Sequence, residues 1–178
     1  CVLRRGGTVA CWGANGMGQL GDGTTLARLV LTEVLGLGQV ARIAAGDHHT
    51  CALLSDGTMR CWGINTSGQL GDGSSVTRLR PAVVAGLTNA TALAAGATHT
   101  CAVIGSGAVR CWGANEVGQL GDGTLQRRTS PQRLPDLSAI AELSLGGEHS
   151  CARNRQGALW CWGANARGLP PTRPWALA

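Results

Sequence analysis

The stretch HTCALLSDGTMRCWGINTSGQLGDG, residues 49–73, decides the fold. It places Cys-Trp-Gly ten residues after a first cysteine, sets a turn glycine, Gly57, between the two, and continues into a glycine-rich loop. The pattern returns every fifty residues: cysteines stand at 1, 11, 51, 61, 101, 111, 151 and 161. Laid in that register without a gap, all four copies keep Cys, Gly six places later, Cys-Trp-Gly, Asn and Gly. The first three add an unbroken Gly-Gln-Leu-Gly-Asp-Gly at 18–23, 68–73 and 118–123. Self-similarity at this period implies a solenoid, a propeller or an array.

Within a period the apolar segments are short and bounded by turn residues, which suits strands better than helices. Four recur, at 81–86, 90–95, 98–104 and 108–113 in the best-defined copy. Four short strands per repeat of this length match one blade of a β-propeller. The expected fold is therefore all-β, a single repeat domain over 1–178 built of four-stranded antiparallel blades. The strand spacing predicts complete blades at 31–63, 81–113 and 131–163, a half blade at 1–13 and a degenerate tail at 169–178.

The cysteine hairpin can be worked out from register. If Cys51 faces Cys61, then Leu54 faces Thr58, leaving a three-residue loop, Ser55-Asp56-Gly57, whose third position must be left-handed. Gly7, Gly57, Gly107 and Gly157 occupy that position. Counted outward from the closing pair, 51 with 61 is a non-hydrogen-bonded pair, with Cα atoms roughly 4.5–5.5 Å apart and side chains on one face. That separation lies within reach of a disulfide. Cross-strand bridges Cys1–Cys11, Cys51–Cys61, Cys101–Cys111 and Cys151–Cys161 lead on this geometry. Buried reduced thiols are the second reading, and metal ligation is a weak third, because no short Cys-x-x-Cys spacing exists.

Other recurring residues read as scaffold. His49, His99 and His149 precede a cysteine in three successive copies, whereas catalysis would need a nucleophile or carboxylate beside only one of them; they are expected to hydrogen-bond between strands or loops. Asp22, Asp72 and Asp122 lie between glycines and are expected to cap backbone amides. Too few oxygen side chains surround them for a calcium loop, and no strand-to-helix turn makes a phosphate cradle. Trp12, Trp62, Trp112 and Trp162 must point to the face opposite the cysteines and are expected to pack between blades. Arg28, Arg78 and Arg128 recur in the loop before a strand pair, so they are expected along one rim, either solvated or facing an acidic partner.

Composition narrows the function classes. The chain carries 28 Gly, 6 Trp, no Phe or Tyr, and fifteen basic residues for a formal charge of +5. Every basic residue is Arg, which points to a GC-rich coding sequence and a bacterial source. No basic run exceeds the pairs Arg4-Arg5 and Arg127-Arg128, so charge does not indicate nucleic acid. No apolar run approaches the length that spans a bilayer, and no membrane insertion is expected. No convergent acid, base or nucleophile is confined to one copy, so no enzyme, catalytic residue, metal or cofactor is expected.

The combination His-Thr-Cys-Ala-Leu, a glycine turn and Cys-Trp-Gly-x-Asn-x-x-Gly-Gln-Leu-Gly-Asp-Gly closely resembles the regulator-of-chromosome-condensation repeat, up to Gly168. The paired cysteines resemble bacterial, often exported, versions, which implies an extracellular or cell-envelope location. The resemblance implies a propeller, seven-bladed in the best-known members. Two departures stand out: about half the blades are present, and after Gly168 the motif gives way to Leu169-Pro170-Pro171-Thr172-Arg173-Pro174-Trp175. A fragment or truncated product is the simplest reading, and association of two halves into one ring is the alternative.

The family's functions differ, and fold does not choose among them. Its founder exchanges guanine nucleotide on a small GTPase and binds chromatin, a plant relative senses ultraviolet light through clustered Trp, and a secreted bacterial relative inhibits β-lactamases. Exchange depends on inserted loops, and the uninterrupted register here argues against it. The photoreceptor's additional Trp are absent from Asp47-His48, Ala97-Thr98 and Glu148. The expected function is a non-enzymatic interaction scaffold that binds an unidentified protein through variable rim loops. Exchange factor and secreted inhibitor are the alternatives.

Overall fold

Glycine turns and short β-branched or small-residue runs give a chain of strands alone among the described residues, 1–135 and 137–165 of a computed structural model. In chain order these are β1 (Val2–Leu3), β2 (Val9–Gly13), β3 (Arg28–Glu33), β4 (Val40–Ala45), β5 (His49–Leu54), β6 (Met59–Gly63), β7 (Arg78–Val83), β8 (Ala90–Ala95), β9 (His99–Ile104), β10 (Ala108–Gly113), β11 (Arg128–Arg133), β12 (Ile140–Leu145), β13 (His149–Asn154) and β14 (Leu159–Gly163). They form four antiparallel sheets: β1-β2-β3, β4-β5-β6-β7, β8-β9-β10-β11 and β12-β13-β14. The sheets are propeller blades, with β4, β8 and β12 innermost and neighbouring one another.

The strands expected at 90–95, 98–104 and 108–113 form within a residue of those limits, but the one expected at 81–86 runs from Arg78 to Val83. The grouping also differs. The segment at 81–86 does not pair with that at 90–95; β7 returns beside β6, and the blades span 40–83 and 90–133, flanked by three-stranded sheets at each end. The short link from β7 to β8 looked like a hairpin turn, yet it crosses between blades. Its apolar residues Val84 and Leu87 are buried in the seam, and Val84 N donates to Met59 O at 3.0 Å. The long loop 64–77, in turn, folds back far enough to bring β7 alongside β6. The tail 169–178 lies outside the described residues.

The hairpin follows the register argument. Cys51 faces Cys61, Leu54 N donates to Thr58 O at 2.9 Å, Gly57 N donates to Leu54 O at 3.0 Å, and Gly57 has φ 79°. All four cysteine pairs are bonded within their hairpins, with Cα atoms 4.0–4.1 Å apart, somewhat closer than the pair spacing predicts. Alternation along the strand then builds the core. Cys51, Leu53, Met59 and Cys61 face forward and meet Ala102 and Trp112 of the next blade, as Val9 and Cys11 meet Ala52 and Trp62. Each seam therefore sets a disulfide face against a Trp face.

Candidate functional site

Three loops, 14–27, 64–77 and 114–127, join β2 to β3, β6 to β7 and β10 to β11, the outer two strands of successive blades, and share one rim. Each is organised by a buried asparagine. Asn65 Nδ2 donates to Asp72 Oδ1 at 3.1 Å, Ser74 O at 3.1 Å and Val76 O at 3.2 Å, while its Oδ1 accepts from Leu70 N at 3.0 Å. Asn15 and Asn115 repeat this arrangement. Asp72 Oδ1 accepts from Ser74 N and Oγ, and its Oδ2 accepts from Arg78 Nε at 2.8 Å. The same ion pair joins Arg28 to Asp22 at 2.6 Å and Arg128 to Asp122 at 2.8 Å. Burial alone would raise the Asp22 carboxyl, but hydrogen bonds from Thr24, Arg28 and Asn15 outweigh it and hold the group at about 2. The arginines thus do not form a free cationic row, because each is tied to the aspartate six residues before it.

Each loop also clasps the next blade. The carbonyl of Gln69 accepts from Trp112 Nε1 at 2.9 Å and Thr100 Oγ1 at 2.8 Å. Gln19 serves Trp62 and Thr50 in this way, and Gln119 serves Trp162 and Ser150. Gly71 has φ 70°, and a Cβ there would lie 2.6 Å from Trp112 Nε1, so the first glycine of Gly-Asp-Gly admits the indole. Of the four tryptophans in the Cys-Trp-Gly motifs, Trp62, Trp112 and Trp162 are buried in seams, whereas Trp12 is 48 % exposed.

The histidines complete the clasp. His49 Nε2 meets Thr100 Oγ1 at 2.9 Å, and His99 Nε2 meets Ser150 Oγ at 2.8 Å. Because each hydroxyl gives its hydrogen to a Gln carbonyl, the imidazole must donate from Nε2. Nδ1 of both rings is buried without a partner, and burial holds both groups down at about 4, so they are neutral. His149 occupies the equivalent place in the last blade, half-buried with its ring over Gly146.

Taken together, the recurring polar side chains hold the scaffold, and the exposed residues are the variable ones. Met17, Leu26, Val76, Val117 and Leu125 are all at least 41 % exposed and all lie on these three loops. A pocket of about 180 Å³ opens on the third, lined by Val117, Gly118, Gly121, Gly123, Thr124 and Leu125 together with Gly163. The corresponding Gly18 and Gly68 are covered by Leu79 and Thr129. The asparagine hub and the Gln carbonyl were missed by sequence reasoning. The ion pair had a readable signal, since Asp and Arg recur six apart in all three copies.

Four sheets arranged about an axis and clasped by a repeated loop define a β-propeller of the repeat class. The sequence profile of the regulator of chromosome condensation (RCC1) repeat matches residues 6–53, 56–103 and 106–153, and a second profile of the repeat matches 40–69, 90–119 and 140–169. The chain belongs to the RCC1 repeat family. Human WBSCR16 superposes with TM-score 0.82 at 25 % identity, over 93 % of this chain and 45 % of its own. Yeast RCC1 (Prp20), solved bound to Kap60, superposes with TM-score 0.76 at 25 % identity, over 88 % of this chain and 40 % of its own. A second structure of Prp20p from Saccharomyces cerevisiae, described with its binding to Gsp1p and histones, gives TM-score 0.78 at 24 % identity, over 93 % and 43 %. The chain thus spans less than half the length of these relatives. No curated protein sequence matches it.

Proposed function

We propose that this chain is a non-enzymatic interaction scaffold that binds a protein through the rim formed by loops 14–27, 64–77 and 114–127. The observation that supports this reading most is the division of labour within the loops. The repeated polar groups are committed to internal bonds, while Met17, Leu26, Val76, Val117 and Leu125 stand exposed at positions whose residue changes from copy to copy. Apolar side chains clustered on one rim are what a protein interface uses. The described residues contain no helix long and apolar enough to cross a membrane. The four disulfides fit an oxidising compartment, and we place the protein outside the cell or in its envelope.

The deciding experiment is cross-linked capture with the wild type and with a variant carrying Ser at Met17, Leu26, Val76, Val117 and Leu125. All five are surface positions, so folding should survive. Loss of the captured partner from the variant supports the rim, and an unchanged set of partners rejects it. The second reading, exchange on a GTPase, draws on the likeness to Prp20. It predicts faster release of labelled guanine nucleotide from a GTPase panel, and a flat response across the panel dismisses it.

A further inference from the structure

The four disulfides repeat in sequence but not in surroundings. Cys51, Cys61, Cys101 and Cys111 are fully buried, each pair sealed by the Trp face of the next blade. Cys1 is exposed, but its partner Cys11 is fully buried in the first seam. Cys151 and Cys161 are both partly exposed. A pocket of about 150 Å³ opens on this last bridge, and its walls include Glu142, Ser144, Cys151, Arg153 and Leu159. Ser144 is exposed and stands directly across the ladder from Cys151.

The side chains of β13 and β14 fit this opening. Leu53 and Val103, two residues after the first cysteine of their copies, are buried against the next blade, whereas the fourth copy has Arg153. Across the hairpin Arg153 faces Leu159, which is half exposed, where the matching Met59 and Val109 are fully buried. On its other side the guanidinium donates to both carboxylate oxygens of Glu142, at 2.7 and 3.0 Å, and the pair lies largely in water. A blade laid over this face would bury that ion pair, at a desolvation cost comparable with its attraction. These residues therefore suit a face that stays wet.

A disulfide opens when a thiolate attacks one sulfur in line with the S–S bond and the other sulfur leaves as a thiolate, so approach and leaving group both count. The two middle bridges offer neither. Attack on Cys1 would expel Cys11 as an anion into a fully buried apolar seam, which burial disfavours. Attack on Cys151 from the pocket expels Cys161, which is partly exposed. We propose that Cys151–Cys161 is a thiol-exchange site for a small aliphatic thiol. The incoming thiolate bonds to Cys151 Sγ, the S–S bond breaks, and Cys161 leaves with the electron pair and takes a proton from water. A second thiolate then attacks the small thiol's sulfur in that mixed disulfide, releasing Cys151 as a thiolate and leaving the oxidised dimer of the thiol. Two electrons thus pass from two thiols to the bridge. No residue of the rim loops takes part, and the site does not depend on the partner proposed for them.

The test is to incubate the oxidised 178-residue chain with mercaptoethanol without denaturant, quench in acid at intervals, block free thiols with maleimide and map the peptides by mass. The first product should carry mercaptoethanol on Cys151 and maleimide on Cys161. It should form ahead of any label on Cys1 or Cys11, and at least about tenfold faster than label on Cys51, Cys61, Cys101 or Cys111. Ser144→Phe sets a ring across the ladder from Cys151 and should slow that step at least about fivefold, with the Cys1–Cys11 rate unchanged. If the variant instead opens Cys1–Cys11 faster, it is misfolded, and the order of opening in the wild type decides. Opening of all four bridges together, or of Cys1–Cys11 first, overturns the proposal. So does a first adduct on Cys161, or a folded Ser144→Phe variant that reacts at the wild-type rate.

Discussion

His49 and His99 sit in the seams with Nε2 donating and Nδ1 bare. A second proton would bring an uncompensated charge and a donor without an acceptor into a buried site. Burial, with a smaller push from neighbouring histidines, therefore holds both at about 4, against 6.5 for the free side chain. Between those values the unfolded chain binds protons that the folded chain refuses. Stability should be full above about pH 6.5 and fall toward pH 4, by about a tenfold change in the folding equilibrium per pH unit for each histidine. Denaturant titrations at pH 7 and pH 5 check this, and replacing both histidines with Gln should flatten that window. The depressed Asp22, Asp72 and Asp122 act in a lower one, since their contribution is lost below about pH 4 as they protonate. Gly71 is a separate case: Gly71→Ala would drive a Cβ into Trp112 from a left-handed backbone, and a loss of at least about 2 kcal/mol is expected in urea unfolding.

At the scale of the element, the hairpin was legible because its register is arithmetic: a ten-residue spacing, a glycine at a fixed place and the period of two leave one solution. Removing one staple with Cys51→Ala and Cys61→Ala should cost about 2–3 kcal/mol, read as a shift in the urea midpoint. The turn before each inner strand offers the opposite kind of change. Gln39, Asn89 and Ala139 all have positive φ, at 55°, 57° and 56°. Asn tolerates that conformation better than Ala, so Ala139→Asn should stabilise the protein by up to about 1 kcal/mol in the same assay. The partition of strands into blades was not legible. A short link and a long loop carry no sign of which one crosses to a new sheet. That depends on Val84 and Leu87 finding a buried seam and on Asn65 folding its loop back.

Across the whole molecule, each blade touches its neighbours through one kind of seam, so the array should behave as a row of nearest-neighbour units. Trp112 fills the middle seam, fully buried, with its indole N–H on the Gln69 carbonyl. Trp112→Ala should cost about 3–5 kcal/mol and divide one cooperative transition into two, as the units on either side separate. Scanning calorimetry shows whether the transition splits, and a single sharp transition would mean that the seams are not the limiting contacts. The candidate rim is also a property of this scale. Met17 and Val117 share one position of the fifty-residue repeat and Leu26 and Val76 another, though their counterparts in the remaining copy are Ser67 and Gln126, and the common placement of the loops brings all of these and Leu125 to one face.

The sequence by itself determined the repeat, the strand content, the hairpin register and the cysteine pairs, because these depend on spacing along one chain and on the alternation of a strand. Tertiary structure alone decided which strands share a blade, that a buried asparagine organises each rim loop, and that the histidines donate across a seam. Those outcomes turn on which groups become buried together, and that is settled only when the blades pack.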